Sequence, residues 1–421
     1  MPSSKPPPPV PAHILRTHSS PVNTISFSED NERLYSGDLS GTVIVTSTRN
    51  LRSLSKWKAH ADGLLGVEEW GNSIITHGRD NKLHVWERVV ENVSVGDSAT
   101  VTGLSIPSLR YSMDVNALNF CRFSLLPRPS LDVTVAQTAQ VALPNLVDSS
   151  LVDIWSLPSQ RRLHAAIGKC GVSESDWQAD GRGEKKTGIL MSIHLFDIQH
   201  PSASGRRLLR LLSAYENGSV TLWNNPSERE TSVEGRGWEA LWTAKRHVES
   251  VMAMTVSRDS TVALTSSADH LIVRYDLLKA EYASIESQGE CFVAHKLKQA
   301  GNGSIAFRDD GRVCAVGGWD GKYVCPPLRL RLLIADPGRI RLFSTKTMKP
   351  LGTLAYHTTN CQAISFTHEP HEQTDKASEE TVTFTDDDMT DEERLSRSRW
   401  LAGAGQDRRV SIWELMSFEK S

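Results

Sequence analysis

The chain has 421 residues, with 47 Lys and Arg against 50 Asp and Glu, a formal net charge of -3 and no long basic run. The clustered cations that mark a nucleic-acid footprint are therefore missing, and direct nucleic-acid binding is not expected. Six scattered cysteines, with no CxxC pair and no short Cys/His spacing, argue against zinc and against a disulfide framework. The start, residues 1–11, is Pro-rich where a signal peptide needs an apolar segment, and reads as a disordered or extended leader rather than as a polyproline ligand. No window of roughly twenty apolar residues follows. A reducing compartment, nucleus or cytoplasm, is expected, with no membrane, and Asn217 and Asn302 in their Asn-Gly-Ser triplets read as tight turns.

One pattern recurs along the chain: an alternating strand, a small-residue pair, Asp or a polar substitute, a turn, and a second alternating strand ending in an aromatic. THGRDNKLHVW (76–86) is the clearest copy, with Asp80 six residues before Trp86. The same offset links Asp269 to Tyr275, Asp407 to Trp413 and Asn217 to Trp223. Weaker copies carry Ser40 (SGDLSGTVIVT, 36–46) and Ser149 (LPNLVDSSLVDIW, 143–155) at the Asp position. Upstream of many units stands a His before an apolar alternation: His18, His60, His247, His295 and His357. Each unit reads as four short strands with turns between them, as in a propeller blade.

A seventh copy is interrupted. GGWDGK (317–322) and IRLF (340–343) become one unit, with Asp320 six residues before Phe343, once residues 323–339 are removed. The intervening YVCPPLRLRLLIADPGR falls inside a blade strand and reads either as an apolar loop, a candidate partner site, or as sequence absent from the mature protein, such as a translated intron. Two further segments break the period. Residues 168–188 lack GxxxxGK[ST] and read as a solvated loop. Residues 368–399 are acidic and read as a disordered loop, in which Thr385 and Thr390, each followed by carboxylates, are candidate phosphosites.

These residues resemble the WD-repeat family, which implies an all-β fold, a seven-bladed WD-repeat β-propeller. The expected boundaries are a single propeller over 12–417 with blades near 18–50, 60–90, 111–160, 188–225, 247–280, 295–346 and 357–415, and with 12–17 closing the last blade, since an open ring would expose strand edges. In that family the His and Asp of a blade join a hydrogen-bonded network with a Ser or Thr and the terminal Trp. The likeness so places His60, Asp80 and Trp86 in one network, and pairs His247 with Asp269 and His357 with Asp407, the last unit ending at Trp413. Blades three and four show no clear His.

No HExxH, GxSxG, kinase set or dinucleotide fingerprint appears, so no enzyme and no cofactor are expected, and the recurrent His and Asp are accounted for by blade structure. Trp319, flanked by Gly318 and the Asp position, is expected to be exposed as a partner-binding anchor.

A closer likeness lies in HILRTHSSPVNTISF (13–27), THGRDNKLHVWE (76–87), NFCRFSLL (119–126), ALPN (142–145), SAYENGSVTLW (213–223), GGWDG and IRLF. These stretches are similar to the ASTRA-associated WD-repeat family. That resemblance implies a non-catalytic subunit of the ASTRA assembly, monomeric within a hetero-complex, in the nucleus with cytoplasm as a second compartment. It further implies roles in chromatin remodelling and in stabilising phosphatidylinositol-3-kinase-like kinases. The implied partners are the telomere-length-regulation protein and its interacting proteins, RuvB-like ATPases and a phosphatidylinositol-3-kinase-like protein. The residues alone also leave open a substrate-receptor propeller of a ubiquitin ligase.

Overall fold

Which strands of this chain are buried follows from their place in the repeat. Ser73–Gly78 is buried along its whole length, whereas Ser53–Lys58, SLSKWK, alternates between core and solvent. The first kind must lie between two layers and the second at an outer edge. The computed structural model of the chain describes residues 9–89, 104–128, 137–169, 187–199, 207–226, 231–284, 287–319, 338–369 and 390–416. Among them the strands form seven four-stranded antiparallel sheets. The blades span 22–58, 64–114, 124–167, 190–245, 251–296, 302–357 and, for the seventh, 361–414 together with 13–15.

First strands of neighbouring blades pack against one another around a central axis. At the seam of blades 2 and 3, residues Arg122 and Phe123, just ahead of the first strand, lie against Gly66. A Cβ there would stand 2.9 Å from Arg122 Cγ, so this approach requires glycine. Seven apolar clusters occupy the interblade seams, one to each. The seam of blades 7 and 1 sets Leu15, Trp400, Ala402 and Ile412 of the one against Ile25 and Phe27 of the other.

The ring is closed by the strand His13–Leu15, which runs antiparallel to Val410–Glu414 with His13 opposite Ile412 and Leu15 opposite Val410. The outer strand of the last blade so comes from the beginning of the chain.

Several sequence boundaries move. The repeating aromatic ends the third strand of a blade, and a more polar outer strand follows it, so each blade extends further than the pattern suggested. Residues 111–114, expected to open blade 3, belong to Ser108–Asp114, the outer strand of blade 2, with Leu83 opposite Met113. Of the interrupted unit, residues 320–337, which include Asp320, lie outside the described residues. Gly338 and Arg339, assigned above to the interruption, belong instead to the strand Gly338–Ser344, opposite His357 and Ala355.

The expected acidic loop, 368–399, is described only at its two ends. Residues 370–389, with Thr385, lie outside the described residues, but both flanks are built. His368 exchanges hydrogen bonds with the Asn31 side chain, and Asp391–Arg397 is a helix. Thr390 Oγ1 accepts from Glu393 N–H at 3.3 Å while Glu393 Oε2 accepts from Thr390 N–H at 3.1 Å. This capping box explains why an acidic run starts a helix here: T-x-x-E satisfies two backbone donors at once.

Closure yields a test. Leu15→Ala removes a buried side chain from the last seam and should cost about 2–4 kcal/mol. Chemical denaturation of the variant checks it, and an unchanged midpoint would show that the last seam does not depend on this side chain.

Candidate functional site

Strands alternate in direction, so the turn between second and third strands and the connection from one blade to the next emerge on the same rim. The recurrent His lies in or beside the interblade connection and the recurrent Asp in the turn. Blade 2 shows what they do. His60 Nδ1 donates to Asp80 Oδ1 at 2.8 Å, Thr76 Oγ1 lies 2.8 Å from His60 Nε2, and Trp86 Nε1 donates to Thr76 Oγ1 at 2.9 Å. With Nδ1 carrying the proton, Nε2 accepts from the Thr76 hydroxyl, and every polar atom of the relay finds a partner. Asp80 Oδ2 also accepts the Ala61 N–H at 2.8 Å, which ties the connection to the turn.

Blade 5 repeats the device: His247 Nδ1 to Asp269 Oδ2 at 3.0 Å and Nε2 to Thr265 Oγ1 at 2.7 Å. Blade 7 changes one part. His357 Nδ1 meets Asp407 at 3.1 Å, but its Nε2 and the Trp413 indole both meet Ser411, each at 2.9 Å. Thr76 sits opposite His84 across two strands, and at the matching pair Gly403 sits opposite Ser411. The hydroxyl has moved to the neighbouring strand because the usual position is glycine.

Blade 1 corrects the expectation that Ser40 takes the Asp position. His18 Nδ1 bonds Asp38 Oδ2 at 2.9 Å and Nε2 bonds Ser36 Oγ at 2.8 Å, while Ser40 Oγ donates to Asp38 at 2.6 Å. Asp38 ends its strand where blade 2 has Gly78, and it reaches the imidazole from there. Blade 4 has Asn217 in a local turn, bonded to Ser219, and the Trp223 indole N–H finds no partner among the described residues. His295, expected to open blade 6, lies half-buried in the strand Phe292–Lys296, the outer strand of blade 5.

Blade 3 has a different answer, which the sequence reading missed. Three buried asparagines, Asn116, Asn119 and Asn145, hold its rim. Asn116 Nδ2 donates to Asn145 O at 2.5 Å, Asn145 Nδ2 to the fully buried Asp153 at 2.8 Å, and Asn119 Nδ2 to His77 Nε2 at 2.7 Å. The signal was present as NALNF and NLVDSS, which alternate Asn with large apolar residues.

Burial sets the ionisation. It lowers the pKa of His60 and His247 against the opposing pull of Asp80 and Asp269, and holds His77 down at about 3. Burial alone would raise Asp80, but the Ala61 N–H and His60 hold it below the usual carboxylate range. His84 stacks on His60 at 4.5 Å between ring centroids, so that His60, Asp80 and His84 place potential metal donors within 4.8 Å of one another. Both His60 nitrogens are already engaged by Asp80 and Thr76, which makes this a hydrogen-bonded cluster. Cys121, Cys291, Cys314 and Cys361 are buried free thiols.

Trp319 is not the exposed anchor expected. It is half-buried, its ring lying over Gly301 and Gly303, where a Cβ on Gly303 would fall 2.2 Å from the indole nitrogen. Thr390 is exposed at the helix cap described above.

Seven blades closed into a ring, four of them stapled by His–Asp pairs, are the architecture of a WD-repeat β-propeller, and a family model described as "WD domain, G-beta repeat" matches residues 9–47. Over nearly its whole length the chain is similar to ASTRA-associated protein 1 of Verticillium alfalfae, 29% identical over 97% of this chain and 93% of that protein. It is likewise similar to ASTRA-associated protein 1 of Pyricularia oryzae, 28% identical over 98% and 99% of the two chains. The mouse guanine nucleotide-binding protein subunit beta-like protein 1 is 26% identical over 97% of each.

Two tests follow from the networks. Asp80→Ala and Ser411→Ala should each destabilise by about 1–3 kcal/mol, because each orphans buried partners; unchanged thermal unfolding would refute the relay. The pH test has a fixed sign. His60, His77 and His247 resist protonation when folded, while the unfolded chain takes up protons near the ordinary value of 6.5. Stability should thus fall as pH drops below about 6.5, and His77→Gln should flatten that slope in melts from about pH 7 to about pH 5.

Proposed function

We propose that this chain is a non-catalytic WD-repeat subunit of an ASTRA-type assembly, working in the nucleus by protein contacts. The observation that carries the reading is full-length likeness to proteins named ASTRA-associated protein 1. The geometry supports it: the recurrent His and Asp are consumed in stapling blades, which leaves a rigid rim as the working surface. On this reading the chain contributes to chromatin remodelling and to stabilising phosphatidylinositol-3-kinase-like kinases. Its partners are the telomere-length-regulation protein, that protein's interacting proteins, RuvB-like ATPases and a phosphatidylinositol-3-kinase-like protein.

Affinity purification of the tagged chain from its own cells, read by mass spectrometry, tests the proposal. Recovery of the RuvB-like and kinase-chaperone subunits is the expected result, and a cullin adaptor in their place would overturn it. The same peptides decide the interrupted unit: one containing CPPLR makes 323–339 part of the mature protein, and one joining GGWDGK to IRLF removes it.

A further inference from the structure

Blade 3 inverts the usual sorting of side chains. Polar Asn116, Asn119 and Asn145 are buried, while their neighbours Leu118, Phe120, Leu146 and Val147 are exposed, Val147 to 93%. Large apolar patches on a surface are informative where a single exposed leucine is not. The two loops are fixed rather than frayed. Asn116 Oδ1 accepts the Leu118 N–H, Asn119 Oδ1 the Cys121 N–H, and Asn145 Oδ1 the N–H groups of Val147 and Asp148. The bond from Asn116 to Asn145 O joins one loop to the other. Buried amides thus hold four apolar side chains outward in a set geometry, which lowers the ordering cost of binding.

The charges around the patch say what would cover it. Lys82 pairs with Asp114 and Arg122 with Glu68, while Asp148 is held by Ser150. Arg79 is left. Its guanidinium lies over the Phe120 ring, 5.8 Å from the centroid, and among the described residues it pairs with no carboxylate. The cation–π contact keeps that charge beside the apolar patch.

We propose that this rim of blades 2 and 3 is a docking site for an acidic–apolar peptide segment of a partner protein. Bulky apolar side chains pack on Leu118, Phe120, Leu146 and Val147, and an adjacent carboxylate pairs with Arg79. One uncommitted arginine suits a single carboxylate and is far short of a nucleic-acid surface. The proposal rests on the reading of the chain as a protein-binding subunit and gives that reading a location.

The test is a random peptide library selected on the full chain, followed by anisotropy of an enriched peptide against Val147→Asp, Phe120→Ala and Arg79→Glu. Enriched peptides should set Leu, Phe or Trp beside Asp or Glu. Each variant should weaken binding about tenfold or more, and exchanging the peptide's acid for Lys should restore binding to Arg79→Glu. Val147 is almost wholly in solvent, so Val147→Asp should keep the wild-type melting temperature. Binding indifferent to Val147→Asp, enrichment of basic peptides, no enrichment at all, or self-association of the chain abolished by Val147→Asp would overturn the proposal. Loss of peptide binding with ASTRA subunits still recovered removes this surface alone. Failure to recover those subunits with peptide binding intact supports the surface and removes the assembly.

Discussion

Everything in this fold depends on one antiparallel pairing, that of residues 13–15 with 410–412. Each blade is hydrophobic on both faces and finds its cover only in its neighbours, so no blade can be stable at an open end. Closing the circle supplies the missing neighbour for blades 1 and 7 together, through the seam of Leu15, Phe27 and Ile412. It also removes the one pair of exposed sheet faces that a linear stack of blades would retain. The seven seams then become equivalent in kind, and a blade with a poor internal network, such as blade 4, persists between better ones.

The polar networks address a different difficulty. A propeller places turn and connection side by side at each blade, and the backbone there cannot pair as it does within a sheet. A buried imidazole with a carboxylate on one nitrogen and a hydroxyl on the other links the two while leaving no member unsatisfied. The chain meets this need in several ways: Asp80 from the turn, Asp38 from the strand end, Ser411 from across the ladder, and asparagines in blade 3. What is kept is the set of bonds, not the position of the residues.

That distinction explains what the sequence revealed. The Asp-to-aromatic spacing exposed the blades because it is fixed by strand length and turn geometry, which are local. The network of His60, Asp80 and Trp86 was legible only through the WD-repeat resemblance that this spacing carries. Ser40 misled because the carboxylate can reach the imidazole from the strand end, at Asp38, and leave a serine in the turn without changing the periodicity. The outer strands were hard to see because half their side chains face water, and SLSKWK carries little apolar signal. Trp319 was misjudged because its burial comes from Gly301 and Gly303, glycines that the strand pattern does not mark as a surface. The Asn-held rim was visible only once inward and outward residues could be told apart. In NALNF alone, asparagine and leucine exchange the places that composition would give them.

The closing pair also governs how the molecule is made. Nearly the whole of the 421-residue chain lies between Leu15 and Val410, so the strand at 13–15 waits for the strand at 410–414 to be translated. At the usual rate of about 5–20 residues per second, that wait exceeds roughly 20 s. Throughout it, blade 1 shows a nascent chain's bare flank to solvent, and each added blade covers the previous one while exposing its own. The ring itself closes only at the end, so a ribosome stalled anywhere before Val410 holds an unclosed arc.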